Sequence, residues 1–90
     1  MKRAIITVIG KDMKGIIAKV STLLADNNIN IMDITQTTMQ DMFTMIMLCD
    51  ITDMDTEFSA LAESLEVLGN SLGLSIRIQH EDIFNSMHRI

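Results

Sequence analysis

The chain holds few side chains that could do covalent chemistry, and their spacing keeps them apart. Cys49 lies in the apolar run FTMIMLC, where a buried free thiol is expected, while His80 and His88 both fall among the last eleven residues. No acid, base and nucleophile converge by local spacing, so no catalytic residue is assigned and the chain reads as a non-enzyme. The triplet HED at 80–82 contains three metal-donor types, but consecutive residues at a strand end point in different directions. Both histidines are therefore expected at the surface, with no metal and no cofactor.

Binding chemistry is easier to place. In GKDMKG at 10–15, two glycines and charges of both signs separate an apolar strand from a helix that opens on Ile16. The first N–H groups of a helix lack intrahelical partners, and the helix dipole makes that end attractive to a carboxylate. Asp12 is the internal alternative, as an N-cap or loop brace. Gly15 either admits a ligand close to the backbone or supplies an unusual turn angle.

The elements that position this loop follow from periodicity. RAIITVI at 3–9 is rich in β-branched residues and apolar on both faces, as a central strand is. Ile16, Ile17, Val20, Leu23 and Leu24 form a helical stripe, which Asn27 and Asn28 end. In INIMDITQTT, a regular pleat puts Ile29 and Ile31 with Asp33, Thr35 and Thr37, and Met32 and Ile34 with Asn30, Gln36 and Thr38. Its polar far end suits a sheet edge. After the turn MQDM, FTMIMLCDI returns as a second central strand.

Thr52, Asp53 and Asp55 are cap candidates for a second helix whose stripe is Phe58, Leu61, Leu65 and Leu68, ended by Gly69 and Gly73. LSIRIQH alternates Leu74, Ile76 and Ile78 against Ser75, Arg77 and Gln79, and a short tail sets Ile83, Phe84, Met87 and Ile90 at helical spacing.

The order β, α, β, β, α, β predicts a ferredoxin-like α+β sandwich over residues 1–90, one domain. Its single four-stranded antiparallel sheet carries two helices on one face, with a short C-terminal helix added. Right-handed crossovers place strands one and three in the middle and two and four at the edges. The two central strands carry large apolar residues on both faces, yet two helices cover only one. The tail or a second subunit must cover the other, which predicts a homo-oligomer, a dimer or a tetramer. Met32, Met39, Met42, Met45 and Met47 crowd the second hairpin, filling either an irregular core or an adaptable surface.

Composition removes several uses of such a fold. Seven Lys and Arg against twelve Asp and Glu give a net charge of −5, the wrong sign for nucleic acid or an anionic membrane. The first loop has no Cys-x-x-Cys for carrying metal, and with no Trp, no Tyr and three Phe there is no aromatic platform for stacking RNA bases. An acylphosphatase-like loop would need an arginine, for which Lys11 and Lys14 are imperfect substitutes. The N-terminus lacks the features of a signal peptide and no run has the length of a membrane span, so a cytoplasmic location is expected.

With Asp12, Gly15 and Ile16 in the first loop, and Asn30, Ile31 and Asp33 opening the second strand, the chain resembles the ACT domain. It is most similar to small stand-alone ACT proteins related to the ACT halves of the glycine-cleavage repressor, a likeness carried by FTMIML at 43–48 and IFNSMHRI at the end. The resemblance implies a regulatory module that senses an amino acid or related metabolite between the first loop of one subunit and the edge strand or helix of a neighbour. It implies backbone N–H groups of Gly15, Ile16 and Ile17 at a carboxylate, Asn30 as an amide contact, and Asp33 meeting an ammonium group from a partner chain. On a regular pleat Asn30 and Asp33 point to opposite faces and cannot share one pocket. The alternative is an oligomerisation or docking module whose loop is merely capped by Asp12; either way, regulation would act on a protein partner in trans.

Overall fold

The computed structural model describes residues 1–11 and 15–87. Strand β1 (Arg3–Gly10) is followed by helix α1 (Ile16–Asp26), strands β2 (Asn30–Met39) and β3 (Met42–Asp50), helix α2 (Phe58–Leu72), strand β4 (Ser75–His80) and helix α3 (Glu81–Met87). The strands form one antiparallel sheet in the order β2-β3-β1-β4. This is the expected βαββαβ sandwich, with β1 and β3 in the middle.

Alternation sets the core. Ala4, Ile6 and Val8 of β1 and Phe43, Met45, Met47 and Cys49 of β3 all point to one face and are buried there against Ile16, Val20 and Leu24 of α1 and Leu61 and Leu65 of α2. The two helical stripes read from the sequence thus close over the same side. The methionines divide between the two roles left open: Met45 and Met47 are fully buried, whereas Met32, Met39 and Met42 are exposed.

The opposite face is half covered. α3 continues directly from β4 and lies against β1, where Arg3 Nη2 pairs with Glu81 Oε1 at 2.7 Å. At that end Ile5 is only 8% exposed, while Ile9, Ile46 and Met42, toward the β2–β3 turn, are 39%, 37% and 42% exposed.

Three details differ from the sequence reading. The cap candidates do not cap α2, which starts from Glu57 without a side-chain cap. Instead, Thr52 donates its N–H and hydroxyl to the Asp50 carboxylate and its hydroxyl oxygen accepts the Lys2 N–H, while the Asp53 carbonyl accepts Asn28 Nδ2. These bonds hold the loop between β3 and α2. The Thr52 hydroxyl, with the Thr52 N–H behind it, keeps the Asp50 carboxyl below its usual range.

Gly69 does not end α2 but lies buried inside it, and Gly73 alone, at φ 72°, forms the left-handed C-cap. A Cβ on Gly69 would stand 2.9 Å from the Leu74 carbonyl oxygen, so the missing side chain lets α2 settle onto the start of β4. Finally, His80 is no free surface residue, because its ring stacks on Phe58 with centroids 3.9 Å apart and planes at 17°. His88 lies outside the described residues.

Two stability predictions follow from this packing. In an open helix, Gly to Ala gains about 1 kcal/mol. Here Gly69→Ala is expected to lose about 1–2 kcal/mol, because overpacking against backbone outweighs the propensity gain; a lowered urea midpoint checks the sign. Burial pushes the Cys49 thiol up from an ordinary 9.0 to about 11. The unfolded chain therefore gives up this proton first, and the contribution present below pH 9.0 is lost as pH rises toward about 11. Urea titrations across that window are expected to show a steeper alkaline loss for the native chain than for Cys49→Ala, and a thiol reagent should label Cys49 only on unfolding.

Candidate functional site

At the first loop, Gly15 has φ 72°, and no described residue comes within 4 Å of where its Cβ would stand. Its carbonyl accepts the Lys19 N–H at 3.0 Å and so begins α1. A left-handed residue is what turns the chain from the loop into the helix, and glycine takes that conformation without steric cost. Ile16 is 2% exposed and anchors the first turn in the core, with Ile17 half-buried beside it. Their side chains are committed to packing, which leaves their backbone N–H groups as the polar groups of this end. No acidic residue occupies the first turn. Asp12 lies outside the described residues.

On β2 the structure corrects the expected faces. Asn30 pairs with Asp50 and Ile31 with Cys49, but Leu48 is met by Asp33, leaving Met32 as the extra residue of a β-bulge. The bulge brings Ile31 and Ile34 onto the core side together, where both pack against the buried cluster. Asn30 and Asp33 therefore share the opposite, exposed face. A regular pleat would have separated them; one extra residue restores them to one side. The Asp33 carboxylate accepts the N–H of Ile34 at 2.9 Å, which steadies it beside the bulge. Just upstream, Asn27 Nδ2 donates to the Leu23 carbonyl at 2.8 Å, and Asn28 takes a φ of 59°. This tight exit delivers Asn30 to the start of the strand.

One chain does not bring these two groups together. Asn30 and Asp50 stand level with Arg3, whereas Gly10, before the first loop, stands level with Phe43 and Thr38. The two ends of β1 are about 23 Å apart at strand rise. The groups also lie on opposite sides of the sheet, with α1 above the core face and Asn30 and Asp33 on the other.

A feature that the sequence reading missed lies elsewhere: a groove of about 420 Å³ between α2 and β4, lined by none of the candidate ligand-binding residues. Gly69 within the apolar stripe of a helix was its available signal, since a glycine there marks close backbone approach. Among the described residues no three His, Cys, Asp or Glu side chains are grouped as a metal site, and no helix is long and apolar enough to cross a membrane.

Comparison with known proteins agrees with this architecture. The ACT domain model matches residues 2–79. A UPF0237 protein of Methanococcus maripaludis is 52% identical over 90 residues, covering 100% of both chains. A solved ACT domain protein from Streptococcus pneumoniae is 41% identical, covers 92% of this chain and 93% of that one, and superposes with a TM-score of 0.81. A solved protein described as a glycine cleavage system transcriptional repressor is 26% identical at a TM-score of 0.70, over 88% of this chain and 45% of that one. The sheet order, the glycine-led first helix and these matches together place the chain in the ACT domain family.

Proposed function

We propose that this chain is a non-enzymatic regulatory module that binds an amino acid or related metabolite at a boundary between copies of itself. The ligand's carboxylate is received by the backbone N–H groups of Gly15, Ile16 and Ile17 of one subunit, with Asp12 in the same loop. Asn30 and Asp33, beside Ile31 on another subunit, receive its amide-like and ammonium groups.

The observation that carries this reading is the bulge at Met32, which sets Asn30 and Asp33 on one face at the start of an edge strand. An exposed carboxylate and an amide side by side form a partner for an ammonium group, and a helix N-terminus forms one for a carboxylate. The separation of the two groups within one chain supports a site completed by two chains. So does the bare end of the open sheet face, where Ile9, Met42 and Ile46 give a second copy apolar surface to cover. Such an assembly, dimeric or tetrameric, works in the cytoplasm on a protein partner in trans. Membership of the ACT domain family, and likeness at 26% identity to a solved protein described as a glycine cleavage system transcriptional repressor, are in keeping with a regulatory role.

A thermal-shift screen against the common amino acids tests this, with size-exclusion chromatography on the hits. A ligand at about a hundred times its dissociation constant adds roughly 2.7 kcal/mol, or about ten degrees for a domain of this size. One or two amino acids are expected to give that shift and to increase the assembled fraction. Asn30→Ala and Asp33→Asn, both at exposed positions, should abolish the shift while leaving the ligand-free melt unchanged. Gly15→Val should cost about 1–2 kcal/mol without ligand, because valine resists a left-handed backbone, and should also lose the response. A shift that survives both β2 substitutions would place the ligand elsewhere, and a flat panel would favour a docking module without a ligand.

A further inference from the structure

The two edges of the sheet are built differently. β2 is interrupted by the bulge at Met32, whereas β4 pairs with β1 in unbroken register from Ser75 to His80. A bulge is one of the devices that stops a sheet edge from adding further strands. β4 has no such interruption, and among the described residues no strand lies on its outer side.

The groove of about 420 Å³ lies beside that border strand. Its floor includes Ile76 and Ile78, and its far wall is Ala62, Glu66 and Asn70 of α2. A regular border strand next to a helix-walled groove is the geometry of strand addition, in which main-chain hydrogen bonds give affinity and alternate side chains dropping into the groove give specificity. The volume lies within the range of sites that engulf several side chains' worth of ligand.

Charge selects the occupant. Of the groove's two charged lining residues, Glu66 belongs to the α2 wall and Arg77 to β4, where alternation sets Arg77 on the sheet face opposite Ile76 and Ile78, so the helix side carries a carboxylate and no cation; α2 itself, FSALAESLEVLGNSL, has no basic residue. A second copy joined through β4 would bring another acidic α2 beside the first, so like charges oppose self-pairing at this edge. A cationic segment meets no such penalty.

We propose that β4 and this groove receive an extended segment of a separate protein, added as a fifth strand. Every second residue of that segment faces α2, with apolar side chains over Ile76 and Ile78 and a lysine or arginine at Glu66.

Selection of randomised peptides displayed on phage against the intact protein tests this, followed by amide hydrogen exchange with the selected peptides. The expected result is a consensus of alternating residues, apolar and basic on one side, that slows exchange within residues 75–80. Glu66→Lys, an exposed substitution, should weaken binding by about tenfold or more, and Ala62→Trp should block it by filling the groove, with unchanged melts confirming both folds. Peptides without such a consensus, a footprint on the open sheet face or on β2, or affinity indifferent to Glu66→Lys would each overturn the proposal. So would concentration-dependent protection of the β4 amides without peptide, which would assign the edge to a second copy.

Discussion

The pairing of β1 with β3 is the constraint on which the other elements depend. Both strands are apolar on both faces, so the hydrophobic pattern alone leaves two ways to orient them. The polar residues decide. Turning β1 and β3 over would carry Arg3, Thr7, Thr44 and Asp50 beneath the helices, where charges without partners are costly. In the observed orientation the core side of both strands is wholly apolar, and the buried side chains among the described residues include no polar or charged residue. Once that face is chosen, α1 and α2 have one place to bury their stripes, and β2 and β4 fall to the outside.

The sequence made the order of elements, the sheet arrangement and the helical stripes legible because each is a matter of local period and residue type. What escaped it was settled by contacts distant along the chain. In INIMDI, Ile31 and Ile34 are three residues apart, and a regular strand cannot turn both to the core; burying both is what ejects Met32 into a bulge. Gly69 reads as a helix stop because glycine is a poor helix former, but the Leu74 carbonyl, just before β4 and close to α2 only once the chain has turned back, is what requires it. Thr52 and Asp53 have the chemistry of caps and are spent on the loop, bonded to Lys2 and Asn28. His80 finds a ring to stack on that only the fold brings near.

The same logic explains why the candidate site was partly readable. A glycine before a helix and polar residues opening an edge strand are local features, and both lie where the chain pattern puts them. Their mutual placement is not local. With the helix start at one end of the sheet and Asn30 and Asp33 at the other, on opposite sides, a ligand that touches both must do so across a boundary between chains. Binding of that kind stabilises the assembled state over the free chain by mass action, so ligand and assembly are coupled without any change of shape within the domain.

The proposed docking edge adds a constraint to that coupling. β2 and β4 are the two borders of a four-stranded sheet, separated by β3 and β1 and hence by about 14 Å at ordinary strand spacing. The core sides of the strands between them are fully packed against the helices, and packed cores transmit little continuous deformation. A ligand at the β2 side therefore has a weak grip on β4 within the same chain. Assembly as proposed would give it a stronger one: copies brought together by ligand would present several β4 edges at once, and a partner with more than one extended segment would gain by the effective concentration of the second. Regulation in the proposed arrangement would be a count of edges presented rather than a reshaping of any one of them.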